Sequence, residues 1–387
     1  VKYIEILDNK AECPQCFFEG QIISYKDIPE AEPLCTTSWS PHLDSIKPEV
    51  TISSIYQPRI DLNQSSEYLA AEGVVQAHLR AINTAKVDSS VCLGDMIPKQ
   101  VYLDLCIAKA NVVEAALKNQ IRPENYDHMV KIEKIVYDVS SHDIDFDLAK
   151  VRSAKQVNII REGTNRTIYN TRGSITGRLT TKKGSFPIMT LSTEDRSFIV
   201  PTNDLLIEFD FNAAELRVLL ALDNQPQPDQ DVHEWNRINI CRGLTTRKKA
   251  KERFFSWLYN PTATDHMMER SYNKSLYKNH YKNSKITTPF GRVMEVDDRR
   301  ALSYLIQSTS SDVTLEQVYK IRNLLREKRS FIKFLLHDSV ILDVSREDLG
   351  IMKDLYFAFR ETRYGRFKVN VKSGKDFFNM KEIRWKI

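Results

Sequence analysis

Apolar residues return at helical spacing only after Pro98. Val101, Leu103, Leu105, Ala108, Val112, Ala115 and Leu117 keep one stripe, which predicts an amphipathic helix. Pro123 and Asn125 punctuate, and Met129, Ile132, Ile135 and Val136 predict a second helix. Residues 1–90 carry Pro14, Pro29, Pro33, Pro41, Pro48 and Pro58 and no sustained period, so they read as loop-rich with short strands such as Gln21–Tyr25. Gly163, Gly173, Gly177 and Gly184 interrupt the next stretch and predict turns and short strands. Leu205–Phe211 is a strand-like apolar run, followed by a helix over Ala214–Leu222. More helix is predicted over roughly Thr245–Tyr259, around Met267–Lys282 and over Leu302–Leu325. Phe331–Leu336 and Val340–Val344 are apolar runs joined by His337-Asp338-Ser339, a hairpin signal. The end of the chain, to Ile387, reads as mixed.

Composition narrows the class. With 387 residues, 42% hydrophobic and 28% charged, the chain suits two or three globular domains. It has no run of eighteen apolar residues, and its N-terminus has no continuous apolar core, so neither a membrane span nor a signal peptide is expected. It begins at Val1 rather than Met, as a chain trimmed from a longer one would. Six cysteines are too few for a disulfide framework, and a reducing, cytoplasmic setting is expected.

Charge is unevenly spread. The net +5 conceals about +10 between Arg237 and Arg292 and about +7 between Arg152 and Lys183, leaving the remainder near −12. A basic middle on an acidic chain reads as a polyanion surface, although solvated helix faces would give the same count.

Three places carry candidate chemistry. Asp338 lies at the tip of an apolar hairpin, where a carboxylate is rigidly held yet exposed; Asp is also a common turn residue. Asp210 ends an apolar strand, where an acid needs a partner or a metal, or caps the helix that follows. Two such acids on adjacent strands would suit a pair of Mg²⁺ ions clamping a phosphoryl transfer. Arg247, Lys251, Phe255 and Tyr259 recur every four residues, so two cations and two aromatics line one helix face. Such a face can hold a triphosphate and a nucleobase; an ordinary amphipathic helix is the simpler alternative.

TGRL (Thr176–Leu179), DFNAAELR (Asp210–Arg217), RKKAKERFFSWLYN (Arg247–Asn260), IQSTSSD (Ile306–Asp312) and LLHDSV (Leu335–Val340) occur in an order and spacing that resemble the motifs of family A DNA polymerases, the DNA polymerase I type. SFPIMTL after TGRLTTKK resembles the small bacteriophage form. The likeness covers about Ile175 to the C-terminus, is weaker over 95–170 and is absent over 1–90.

The resemblance implies an α+β right hand: an antiparallel palm from 171–222 and 300–387, helical fingers over 223–299, a helical thumb over 91–170, and 1–90 without an assigned role. It implies that Asp210, Asp338 and the Phe211 carbonyl hold two Mg²⁺ ions, with Mn²⁺ as a substitute. Arg247 and Lys251 would hold the triphosphate of a dNTP, with His233 nearby, while Phe255 stacks on the sugar and base. Glu215 would exclude a 2′-hydroxyl, and Tyr259 would sit by the templating base. Arg178, Gln307 and His337 would meet the end of a primer–template, and Lys182, Lys183 and Arg292 its backbone. The reaction would be extension of a primer by dNMP with release of pyrophosphate, with any exonuclease or processivity factor supplied by a separate protein.

Departures mark the alternatives. Asn212-Ala213 replaces the usual Ser-Gln, Phe254-Phe255-Ser256 the usual Asn-Phe-Gly, Asn260 a Gly, and Ser339 an acid. His-Asp-Ser also occurs in single-subunit phage RNA polymerases, so a ribonucleotide-using polymerase or primase is one rival. A catalytically inactive DNA-binding subunit is another, against which the paired acids argue. The segment from Tyr259 to His337 is shorter than the family norm, which implies trimmed fingers. What precedes the thumb is too short for a proofreading exonuclease and shows no convincing Asp-x-Glu start. Cys13 and Cys16 resemble half a zinc knuckle, with Cys35 and His42 as incomplete partners, and a structural Zn²⁺ is not expected.

Overall fold

The computed structural model describes residues 1–7, 15–29, 32–46, 49–56, 61–85, 87, 91–118, 120–162 and 165–383. Cys13, Pro14, Pro48, Pro58 and Gly163 lie outside them. The chain divides into two compact units, Val1–Lys134 and Ile135–Ile387, with the boundary inside the helix Tyr126–Ser141. It also falls within the segment 91–170 expected as a thumb.

The first unit bears out the short strand expected at Gln21–Tyr25, present as Gln21–Ser24, and corrects the loop-rich expectation for the rest of residues 1–90. Strands Lys2–Ile6, Gln15–Phe18, Gln21–Ser24, Leu34–Thr36 and Thr51–Ile52 form one mixed sheet with Lys2–Ile6 at its centre. That strand pairs antiparallel with Gln15–Phe18 and parallel with Leu34–Thr36. The Glu19-Gly20 turn has positive φ at both residues, the geometry of a tight hairpin. The strands have two to five residues each, too short for an alternating pattern to stand out. Helix Ser66–Thr84, capped by the Ser65 hydroxyl, which accepts from Tyr68 N, also lies within this stretch. Helix Lys99–Leu117 follows Pro98 as expected and meets the central strand through Glu114 on Tyr3 N (2.7 Å) and Lys109 on Glu5 (2.6 Å).

The second unit is built on an antiparallel sheet in the order Phe331–Leu336, Ser339–Val344, Leu205–Phe211, Val369–Gly374, Lys381–Glu382. The two central strands carry mainly apolar residues because both faces are covered. On one face the Phe211 ring stacks on Phe359 at 4.2 Å, and Phe359 belongs to helix Met352–Arg360. Helix Ala301–Leu324 is buried along most of its length, including the small polar run Ser308–Asp312. Around Met267–Lys282 the expected helix is limited to His266–Ser271; a 3₁₀ turn follows, and Tyr281–Lys282, Lys285–Thr287 and Val293–Glu295 form a small sheet. Asn283 and Ser284 adopt positive φ just past it, turning the chain between the first two of these strands. Helix Ala154–Glu162 also lies in a stretch expected to hold only turns and short strands.

Candidate active site

Strand pairing brings the two acids together. Asp210 lies opposite Ser339 on one side and Asn370 on the other, and Phe211 N donates to the Asp338 carbonyl at 3.2 Å. Asp338 therefore sits at the hairpin tip beside the end of the Asp210 strand. Leu336 pairs with Ser339, so the turn is His337-Asp338 alone, with His337 at φ +52 where glycine is the usual occupant. Asn370 donates to Asp210 Oδ2 at 3.1 Å. Burial, followed by the charge of Asp338, pushes the Asp210 carboxyl from 3.8 up to about 7. Burial, with Glu215 nearby, also raises Asp338. Two half-desolvated like charges are a site for cations.

The acids face a cavity of about 470 Å³. It is also lined by Arg178, Phe211, Glu215, His233, Arg247, Lys251, Phe255, Tyr259, Gln307 and His337. Thus residues from all five motif strings, and His233 from a sixth segment, meet at one opening. Lys182, Lys183 and Arg292 do not line it. Arg292 instead turns inward onto Asp312, bonding it through Nη2 (2.7 Å) and Nε (3.2 Å). Asp312 is fully buried and the Arg292 side chain is 13% exposed, so this cation is held inside the fold rather than presented to a backbone phosphate.

The helix Arg247–Tyr259 is capped by Thr246, whose hydroxyl accepts from Lys249 N. Its four-residue spacing places Arg247, Lys251, Phe255 and Tyr259 along the cavity. The Lys251 ammonium lies 5.8 Å from the Phe255 ring, and the Phe255 and Tyr259 rings stack at 6.0 Å. His233 is 2% exposed, and its Nδ1 has no partner among the described residues. Burial and the Lys251 charge push it down to about 4, so it is neutral near pH 7.

Glu215 stands between the helices. Its Oε1 accepts from the Arg178 guanidinium and from the Tyr259 hydroxyl (2.7 Å), and Gln307 Nε2 donates to that hydroxyl at 3.2 Å. Arg178 reaches this network from a tight turn: Gly177 has φ +76, and a Cβ there would fall on the Arg292 guanidinium.

Three further residues shape the site. Asp231 accepts Arg247, Asn212 bonds Asp231, and Asn370 bonds Asp210. Asp231 had a signal in the sequence: Asp231 followed by Glu234 marks a helix start, and its side chain accepts from Glu234 N. Asn370 had none, because only long-range strand pairing sets it beside Asp210.

The donor set suits hard divalent ions. Among the described residues no group of three His, Cys, Asp or Glu could hold a metal, so any ion here must complete its shell from substrate oxygens, carbonyls and water. The candidate zinc set, Cys13, Cys16, Cys35 and His42, includes Cys13 outside the described residues; Cys16 and Cys35 are buried in strands of the first unit. Among the described residues no helix is long and apolar enough to cross a membrane.

No protein-family profile matches the chain, and no curated protein matches it. Among solved structures it is similar to the polymerase domain of Pol1 from M. smegmatis, determined in complex with a DNA primer–template and dNTP. The TM-score is 0.59 at 13% identity, over 92% of this chain and 90% of that one. The likeness establishes the fold: α+β, with the architecture of a polymerase domain.

Proposed function

We propose that this chain is a template-directed DNA polymerase of the family A type that transfers dNMP to a primer 3′-hydroxyl and releases pyrophosphate. The observation that carries the reading is the pairing that sets Asp210 and Asp338 side by side on one wall of a cavity also lined by Arg247 and Lys251. The likeness to a domain solved with DNA primer–template and dNTP supports it.

In this reading Asp210 and Asp338, with the Phe211 carbonyl, would hold two Mg²⁺ ions, for which Mn²⁺ could substitute. Bound there, such ions would neutralise the phosphates and stabilise the charge that develops during in-line displacement. Arg247 and Lys251 hold the triphosphate, while neutral His233 offers a donor or an acceptor without competing charge. Phe255 packs on the sugar, and Glu215 crowds its 2′ side. Tyr259 sits by the templating base, Arg178 and Gln307 meet the terminal base pair, and His337 meets the primer end. Lys182 and Lys183 lie on the outer basic surface for DNA. Positioning and electrostatics, rather than covalent chemistry, account for the rate. The palm would comprise 171–222 and 300–387, and the fingers 223–299. The bacteriophage-type form is part of the proposal and rests on the SFPIMTL string.

The test is primer extension with Mg²⁺. Asp210→Ala and Asp338→Ala should each lose roughly a thousandfold or more in rate while still binding primer–template. Retention of more than about a tenth of the wild-type rate by either variant would remove the acids from the chemistry. Parallel reactions with NTPs separate this reading from a ribonucleotide-using polymerase or primase.

A further inference from the structure

Arg247 is the first residue of its helix, and its side chain is about half exposed, at 49%. A long cation in such a place samples many rotamers unless something holds it. Here Asp231 does: it takes Nη2 at 2.6 Å and Nε at 3.1 Å, a side-on fork. That fork occupies one edge of the guanidinium and leaves the Nη1 edge for another anion.

Asp231 is itself fixed. It caps the short helix Val232–Trp235 by accepting from Glu234 N at 2.8 Å, and it accepts from Asn212 Nδ2 at 2.7 Å. Asn212 uses the other end of its amide as well, since Oδ1 accepts from Val232 N at 3.0 Å. Its backbone is held too: its N donates to the Lys368 carbonyl at 2.9 Å, and its carbonyl accepts from Arg217 Nε at 2.8 Å. Arg217, fully buried, bonds the Pro228 and Gln230 carbonyls at 2.9 and 3.0 Å and so ties the loop before Asp231 to the same point. Asn212 lies two residues beyond Asp210. An unbroken series of polar contacts thus runs from the end of the acid-bearing strand through Asn212 and Asp231 to Arg247. Asn212 is also where this chain departs from the usual Ser, and its amide carries donor and acceptor on separate atoms, Nδ2 to Asp231 and Oδ1 from Val232 N, where a serine has both on one shorter-reaching oxygen.

Two effects of Asp231 oppose each other. Its charge repels an incoming polyanion, whereas its fork pre-sets the Arg247 guanidinium and reduces the ordering cost of binding. The carboxylate is already matched by Arg247 and by two neutral donors, so the pair is close to neutral and orientation is the larger contribution.

We infer that Asn212 and Asp231 are positioning residues that hold Arg247 on the cavity wall, in register with the acid-bearing strand, to receive a triphosphate. The identity of that anion rests on the nucleotidyl-transfer reading above.

The experiment measures binding of inorganic tripolyphosphate and of dATP to the full chain by calorimetry, alongside KM and kcat in primer extension. Asp231→Asn and Asn212→Ala should each weaken binding roughly fivefold to tenfold and raise KM for dNTP by a similar factor, with kcat changed less than about twofold. In an Arg247→Ala background neither should have any further effect, since both act through that side chain. Tighter binding by Asp231→Asn would mean that the carboxylate competes with the ligand, and it would overturn the inference. So would additive effects in the double variants, or unchanged binding by both single variants while Arg247→Ala still weakens it; those results leave the polymerase reading intact. Absence of triphosphate binding in the wild-type chain would overturn both. Thermal melts accompany each variant, and the two single variants approach the contact from different elements, so a folding defect in one leaves the other as the test.

Discussion

At the scale of single residues, the raised carboxyls are the clearest sign that the cavity is built for something other than stability. Asp210 moves from 3.8 to about 7, so the folded chain binds this proton more tightly than the unfolded one. Its contribution to stability is fully present below about pH 4 and is lost as pH rises through about 7. In a chelator, Asp210→Asn should therefore stabilise the fold at pH 8 by on the order of a few kcal/mol, seen as a higher melting temperature, and change it little at pH 4. A pH-independent effect in scanning fluorimetry would contradict the shift.

Glu215 also belongs at this scale. Oε1 carries both Arg178 and Tyr259, and the buried Oε2 has no partner among the described residues. Removing the carboxylate releases both neighbours and, on the proposed reading, opens space beside the sugar of a bound nucleotide. Glu215→Ala should raise ribonucleotide use relative to deoxyribonucleotide by about tenfold or more, which is about 1.4 kcal/mol. The ratio of kcat/KM for paired nucleotides on one template measures it, and a wild type that already takes both equally would refute the gate.

At the scale of elements, two buried ion pairs fix the frame. Arg292 joins the Lys285–Glu295 hairpin region to the long helix through Asp312, and Gly177 makes room for it. Gly177→Ala meets an unfavourable positive φ and displaces that guanidinium, so a loss of about 2–4 kcal/mol in urea unfolding is expected. Lys333 and Asp343, 1% and 0% exposed, pair at 2.8 Å between hairpin strands, and Asp343 also accepts from Thr202 N and Asn203 N. Lys333→Met would leave that carboxylate buried without its cation and should cost about 3–5 kcal/mol, whereas an unchanged denaturation midpoint would show the pair to be dispensable.

At the scale of the whole molecule, charge would govern the proposed binding of DNA. With roughly five phosphate contacts, the plot of log K against log[salt] should slope near −4 to −5, because counterion release drives the association. A flat dependence would mean that the basic tracts do not follow a phosphate backbone. Purified chain should also leave a mismatched primer end uncut without dNTPs. In the first unit Glu5, on the central strand, is already bonded by Lys109 and by the Tyr3 hydroxyl. Mg²⁺-dependent shortening that survives changes at Asp210 and Asp338 would reveal a nuclease.

The elements around the cavity were legible in the sequence because their patterns are local. Leu205–Phe211 and the two hairpin strands are continuous apolar runs, and Arg247–Tyr259 and Ala301–Leu324 are long helical patterns; spacing put Arg247 and Lys251 on one face, whereas the roles of Asp210 and Asp338 came from the resemblance of the motifs. Apart from the strand at Gln21–Ser24, the first sheet was illegible because strands of two to five residues carry no measurable alternation and are stabilised by partners distant in sequence. Arg292 shows the same limit at one residue: a cation in a basic tract looks like a DNA contact until the fold sets it on a buried Asp312. Asn212, Asp231 and Asn370 became part of the site only through contacts that no periodicity encodes. Local pattern settled which elements exist and which side chains share a face; tertiary pairing settled which of those faces meet, and so which charges answer one another.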